Sequence, residues 1–134
     1  AVKEANGDIS SVAKTRYLCG DDLEIYSGND DQVIPIMSLG GIGVISVLSN
    51  ILPFETHKMC YEYLQGDKDL ASKMQVNYTA LINALFSDVN PIPVKAAMNL
   101  LKMDVGPCRL PLFDMSSKDL ESLKQALIDT NILK

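Results

Sequence analysis

The stretch Gly40-Gly41-Ile42-Gly43-Val44-Ile45-Ser46-Val47-Leu48 constrains the fold more than any other part of the chain. Its glycines read as a tight reversal, and Val44–Leu48 behind them is nearly all apolar, with no alternation. A strand with one wet face alternates polar and apolar residues. One that is apolar throughout suits a parallel sheet covered on both faces. Parallel strands cannot be joined by a hairpin and need crossovers, usually helices. The flanking sequence supplies them. Ala1-Val2-Lys3 reads as the end of an apolar strand, and Glu4-Ala5-Asn6-Gly7-Asp8 as a turn with a helix-start signal. Ile9, Val12, Ala13 and Tyr17 share one helical face, with Asp8 or Ser10 as the cap and Gly20 as the stop. Leu23–Ser27 reads as a short strand, and Gly28-Asn29-Asp30-Asp31 as a turn with an N-cap for a helix over Val33–Leu39. Pro35, near the first turn of that helix, is tolerable there. After the apolar strand, a helix over Glu55–Gln65 stops at Gly66-Asp67. Units this short, repeating β-α, fit an α/β barrel, with a doubly wound sheet as the other solution.

From Lys68 onward the period of two is gone. Leu70–Phe86 reads as one long helix, with Met74, Tyr78, Leu81, Ile82 and Leu85 on one side. Asn90-Pro91-Ile92-Pro93 predicts an extended break, because the residue before a proline avoids the α region. A further helix is expected over Val94–Met103, then an irregular connector Gly106–Pro111. Ser116-Ser117-Lys118-Asp119 has capping-box spacing ahead of Leu120, Leu123 and Leu127. The expected organisation is therefore a strand-bearing part, residues 1–66, and an all-helical extension, residues 67–134.

Composition removes several classes of function. Twelve basic residues against 17 acidic ones leave a net charge of −5, and nucleic acid or an anionic membrane would require clustered positive charge instead. A hydrophobic content of 47% with 22% charged residues excludes a disordered chain. No apolar run approaches a membrane span. Cys19, Cys60 and Cys108 are odd in number and widely spaced, and His57 alone cannot complete a zinc set. No metal is expected, and a reduced, cytoplasmic setting is the simplest reading. The first residues lack a basic region followed by an apolar one, so no signal peptide is expected. With no methionine, cap or polar lead-in, the chain reads as starting in mid-strand, as a piece of something larger.

Lys3 is the sharpest chemical candidate. At the end of an apolar strand, just before a βα turn, it would project at the carboxyl-end mouth of a parallel sheet, where α/β folds place reactive groups. Partial burial there favours the neutral amine, which can attack a carbonyl to form a Schiff base. The alternative is an exposed lysine marking the end of a strand. Gly28 allows close backbone approach to a ligand, and Asp30 could orient substrate or water; the plain reading of both is a glycine turn with a capping aspartate. Gly40–Gly43 run from helix into strand, the reverse of a phosphate loop, and are expected as a structural turn on the floor of the sheet. Either Ile45 or Ser46 faces the barrel axis. His57 is expected at the surface or an interface, Cys60 as packing, and Arg109 paired with a carboxylate or a helix end.

Five motifs occur in one order: Lys3-Glu4-Ala5-Asn6-Gly7-Asp8, Ser27-Gly28-Asn29-Asp30, Leu39–Ser46 (LGGIGVIS), Asn90-Pro91-Ile92-Pro93-Val94-Lys95 and Arg109-Leu110-Pro111-Leu112. Together they resemble the C-terminal part of the bacterial dihydrodipicolinate synthase family, over essentially the whole chain. The resemblance implies a (β/α)8 TIM barrel, of which this chain would hold strands 6–8 plus a C-terminal helical extension, assembled as a tetramer. It implies that Lys3 captures pyruvate as a Schiff base, that the resulting enamine adds to aspartate semialdehyde, and that no cofactor takes part. It matches Ile45 to the residue whose backbone lies against pyruvate, Gly28 to the pocket wall and Asp30 to an acidic position near the second substrate.

The family's proton-relay tyrosines and threonine, its carboxylate-binding arginine and its lysine feedback site would lie upstream. None of Tyr17, Tyr26, Tyr61, Tyr63 or Tyr78 matches a relay position, and neither Arg16 nor Arg109 is the clamp. The segment alone is expected to need the N-terminal half of the barrel and to be inactive without it, since three strands cannot close a barrel. Competing readings are a related pyruvate-dependent lyase, such as an N-acetylneuraminate lyase or a keto-deoxy sugar acid aldolase, and a non-catalytic half-barrel interaction module.

Overall fold

A computed structural model describes residues 1–133. Three strands, β1 (Val2–Glu4), β2 (Ile25–Ser27) and β3 (Gly43–Val44), form one parallel sheet in the order β1-β2-β3. Between them run α1 (Ile9–Cys19) and α2 (Val33–Ser38). After β3 come α3 (Pro53–Gln65), α4 (Lys68–Asn77), α5 (Thr79–Leu85), α6 (Ile92–Leu100) and α7 (Ser117–Asp129). The architecture is α/β, as the alternation of periods requires.

The caps explain several boundaries. The Asp8 carboxylate accepts from the Ser10 N–H at 2.8 Å and starts α1. Gly66, at φ 100°, ends α3 in the left-handed region, and Asp67 at once caps α4 by accepting from Leu70 N–H. Ser116 accepts from Asp119 N–H and donates its hydroxyl to the Asp119 carboxylate, so that spacing is a working cap.

Four sequence expectations are corrected. The apolar strand is shorter than Val44–Leu48: pairing ends at Val44, and Leu48–Asn50 form a turn of 3-10 helix. The Asp30 carboxylate reaches across to accept from the N–H groups of Val47 and Leu48, which bends the chain out of the sheet. Asp30 therefore caps this turn and not its own helix, at whose start no side-chain cap occurs. The long helix over Leu70–Phe86 is two helices broken at Tyr78, because its halves serve different cores. Ala71 and Met74 of α4 pack with Val33, Met37 and Met59, while Leu81, Ile82 and Leu85 of α5 pack with Leu123 and Leu127 of α7. Tyr78 lies against both clusters. Finally, the break at Asn90–Pro93 ends earlier than expected. Ile92 and Pro93 open α6, where a proline has no amide bond to lose.

A third cluster, Val12, Ile25 and Ile36, seals one face of the sheet beneath α1 and α2. At the amino ends of the strands, Arg16 donates from Nη1 to the Gly20 carbonyl at 2.6 Å and from Nη2 to the Gly40 carbonyl, tying two floor loops together. Gly40–Ile42 thus lie in the structural turn expected of them, and Gly43 already opens β3. A Cβ on Gly41 would fall 2.7 Å from Ile36 Cγ2.

Candidate active site

Register fixes which side chains share a face. Val2 pairs with Ile25, Lys3 with Tyr26, and Tyr26 with Gly43. Because side chains alternate, Val2, Ile25, Ser27 and Val44 point to the helices, and Lys3, Tyr26 and Gly43 point the other way. Tyr26 leans over Gly43, where an added Cβ would stand 3.5 Å from the ring. One residue beyond the paired strands, at their carboxyl ends, come Gly28 and Ile45. Gly28 N–H donates to the Glu4 carbonyl at 2.6 Å and Ile45 N–H to the Ser27 carbonyl at 2.8 Å.

Lys3, Gly28 and Ile45 are therefore brought together at one end of one face. The closeness of the first two is measurable: a Cβ on Gly28 would lie 2.9 Å from Lys3 Cε and 2.6 Å from Ala5 Cβ. Only a glycine lets the lysine stem lie against the backbone here. The loops around the lysine are braced. Glu4 accepts from Asn6 N–H at 3.0 Å, Asn6 accepts from Asp8 N–H at 2.7 Å, and Gln32 donates across to the Gly7 carbonyl at 2.9 Å.

Two expectations need correction. Lys3 is exposed and not partly buried, and Ile45 is 50% exposed, because no other element among the described residues covers this face of a three-stranded sheet. Asp30 is only 1% exposed and faces the interior. Its Oδ2 accepts from Val47 N–H at 2.8 Å and Leu48 N–H at 3.1 Å, while Oδ1 is buried without a partner. It supports the segment that carries Ile45 and does not line an open cavity. Of the pair Ile45 and Ser46, Ser46 turns its hydroxyl to accept from Ser49 N–H at 2.8 Å.

The residues set aside behave in varied ways. His57 is exposed and stacks on Tyr61, with ring centroids 5.7 Å apart. Arg109 is exposed, and no ion pair involves it among the described residues. Burial first, and the Asp30 charge second, push the Cys60 thiol up from 9.0 to about 11, which leaves it a poor nucleophile at neutral pH. No group of three or more His, Cys, Asp or Glu side chains that could hold a metal occurs among the described residues. No helix there is long and apolar enough to cross a membrane.

The sequence reading missed Gln75. It is 8% exposed on α4, donates from Nε2 to the Asp30 carbonyl at 2.8 Å, and accepts from Ile34 N–H at 3.2 Å. A signal was available: Ala71, Met74, Gln75 and Tyr78 fall at i, i+3, i+4 and i+7, so a glutamine interrupts a buried stripe and must find partners.

A cleft of about 680 Å³ lies away from these residues, between α6, the following connector and α7. Two of the polar side chains on its wall are already engaged: Lys95 Nζ donates to the Val105 carbonyl, and Asn99 bonds Val105 N–H and the Gly106 carbonyl. Size alone does not make it the site. The carboxyl ends of the strands hold Lys3, whose stem lies along Gly28.

A parallel sheet joined by helices, with Lys3 at the carboxyl end of β1, places the chain among α/β proteins. The model of the dihydrodipicolinate synthetase family matches residues 1–130, and the chain belongs to that family. It is 57% identical over 133 residues to a 4-hydroxy-tetrahydrodipicolinate synthase of a Thermoanaerobacter species, covering 99% of this chain and 45% of that protein. Dihydrodipicolinate synthase from Thermotoga maritima superposes with a TM-score of 0.93 at 38% identity, covering 98% of this chain and 45% of that one. The chloride-inhibited enzyme of Acinetobacter baumannii, complexed with pyruvate, superposes with a TM-score of 0.92 at 32% identity, covering 98% and 45%. The chain spans about half the length of the curated relatives it matches.

Proposed function

We propose that residues 1–66 are strands 6–8 of a (β/α)8 barrel, that residues 67–134 are its C-terminal helical extension, and that the complete barrel is a 4-hydroxy-tetrahydrodipicolinate synthase. In this reading Lys3 condenses pyruvate with aspartate 4-semialdehyde. The observation that carries it is Lys3 at the carboxyl edge of a parallel strand, its stem against Gly28, in a chain of this family.

The chemistry follows from an amine at that position. Lys3 Nζ adds to the keto carbon of pyruvate and water leaves, forming an imine. The imine withdraws electrons, so a methyl proton departs and an enamine forms. The enamine carbon attacks the aldehyde carbon of the second substrate. That substrate's own amine then attacks the former keto carbon, closing the ring and releasing Lys3. Gly28 walls the pocket, the backbone at Ile45 lies against pyruvate, and Asp30 acts from behind by holding that backbone. The N-terminal half of the barrel covers the open face and keeps water from the imine. The reading extends to a cytoplasmic tetramer, in keeping with three free cysteines.

Borohydride reduction of the full-length enzyme with pyruvate tests the reading. A pyruvate-derived adduct on Lys3 is expected, with none when pyruvate is omitted. An unmodified Lys3 under saturating pyruvate would defeat it. The 134-residue chain by itself is expected to give no turnover of the two substrates.

A further inference from the structure

A buried glutamine in an apolar stripe is costly unless both ends of its amide are bonded. Gln75 meets that condition on the turn Asp30–Gln32, by donating to the carbonyl of its first residue, Asp30, and accepting from the amide of Ile34 that follows it. The turn in turn aims the Asp30 carboxylate. One oxygen of that carboxylate accepts from two successive N–H groups, Val47 and Leu48, in charge-assisted bonds, the stronger kind. Upstream, Ile45 N–H is fixed to the Ser27 carbonyl. The backbone from Ile45 to Leu48 is thus held at both ends, once by the sheet and once by Asp30. A continuous set of bonds joins helix α4 to the edge where Lys3 stands.

We propose that Gln75 is a positioning residue for the keto-acid subsite, acting through Asp30 on the Ile45–Leu48 backbone. The inference rests on the reading of Lys3 as the imine-forming amine. Gln75 touches no reacting atom. Its role is to set where the Ile45 backbone sits, and a shift of about 1 Å in such a group costs up to about 100-fold. Without Gln75, the Asp30 carbonyl and the Ile34 amide lose buried partners, the turn relaxes, and the carboxylate moves with it.

The test is borohydride trapping in the full-length enzyme, titrated with pyruvate. Gln75→Leu is expected to raise the pyruvate concentration for half-maximal adduct about tenfold while the adduct at saturation stays complete. Asp30→Asn, which keeps the shape and weakens the two charge-assisted bonds, is expected to raise it about threefold and decides the matter should Gln75→Leu not fold. The two changes together should shift the midpoint by less than the product of their separate shifts, because they act on one path. Leu127→Val in α7 controls for lost stability and should leave the midpoint in place. An unchanged midpoint in Gln75→Leu, or an equal shift in Leu127→Val, overturns the positioning role while the imine chemistry stands. Where Gln75→Leu does not fold, an unchanged midpoint in Asp30→Asn overturns it. Absence of adduct in the unaltered enzyme overturns both.

Discussion

Residues 67–133 and residues 1–66 solve burial in different ways. In the helical region the apolar faces of α5 and α7 meet, and Leu81, Leu85, Leu123 and Leu127 are at most 1% exposed. In the strand-bearing region the row facing the helices is as well sealed on the middle strand, with Ile25 at 1% and Ser27 at 0%, while Val2 and Val44 on either side are half-buried. The opposite row of the same three strands holds exposed Lys3 and Ile45. A helix needs one stripe covered; a strand of a parallel sheet needs two faces covered. The candidate chemistry lies on the face that these residues leave open. That difference predicts where substitutions will cost activity and where they will cost stability.

The largest expected effect breaks the open face chemically. In the full-length enzyme, Lys3→Arg should abolish borohydride-trapped pyruvate and remove turnover by more than about a thousandfold, because a guanidinium stays protonated and cannot add to a carbonyl. Mass spectrometry of the reduced protein reads the result, and an adduct retained in this variant would move the nucleophile elsewhere. Next comes Gly28→Ala. Its Cβ would need space 2.6 Å from Ala5 and 2.9 Å from Lys3 Cε, and something must move. The lysine stem is the softer neighbour, so kcat/KM should fall about 10- to 100-fold. A wild-type kcat/KM in Gly28→Ala would show that the lysine has room to spare.

The comparison can also be sharpened on stability. Leu123→Ala, at a fully buried position in α7, should cost the chain about 3 kcal/mol in urea unfolding. Ile45→Ala, on the open face of the same chain, should cost under about 1 kcal/mol, since the side chain is already half in water. Equal losses would mean that the open face is covered in the isolated chain, for example by a second copy.

Much of this contrast was legible in the residues. Period and capping gave α1 and α7, period without a side-chain cap gave α2, and the apolar run Val44–Leu48 announced a strand requiring cover on two sides. Its length was not legible. What stops it is Asp30, distant in sequence, and no local pattern reports a carboxylate that caps another segment. The split at Tyr78 was hidden for a related reason: both halves carry a helical stripe, but the stripes belong to two cores. Lys3 and Gly28 could be picked out because strand ends are visible in sequence. The inward turn of Asp30 could not, since an aspartate in a glycine-led turn serves equally as a ligand group or a cap. Gln75 was the reverse, a visible interruption whose partners only the fold supplies.

The smallest expected effect concerns two thiols of the strand-bearing region, one exposed and one partly buried. Cys19 is exposed at the end of α1, while Cys60 lies partly buried on α3, near Asp30. At pH 8 iodoacetamide should modify Cys19 and leave Cys60 largely intact, as read by peptide mass spectrometry, because alkylation requires the thiolate. The same raised value gives a sign for stability. Between pH 9 and about 11 the unfolded chain releases the Cys60 proton while the folded chain keeps it. Stability contributed by Cys60 is therefore complete below pH 9 and declines as pH climbs through that window. Burial first and Glu55 second raise the Tyr78 hydroxyl as well, so the total slope has two sources. Unfolding of the parent and of Cys60→Ala at pH 8 and pH 10 separates them. The parent should lose more stability than the variant over that interval, and matching losses would mean that the Cys60 thiol is solvated like Cys19, removing the difference in environment between the two.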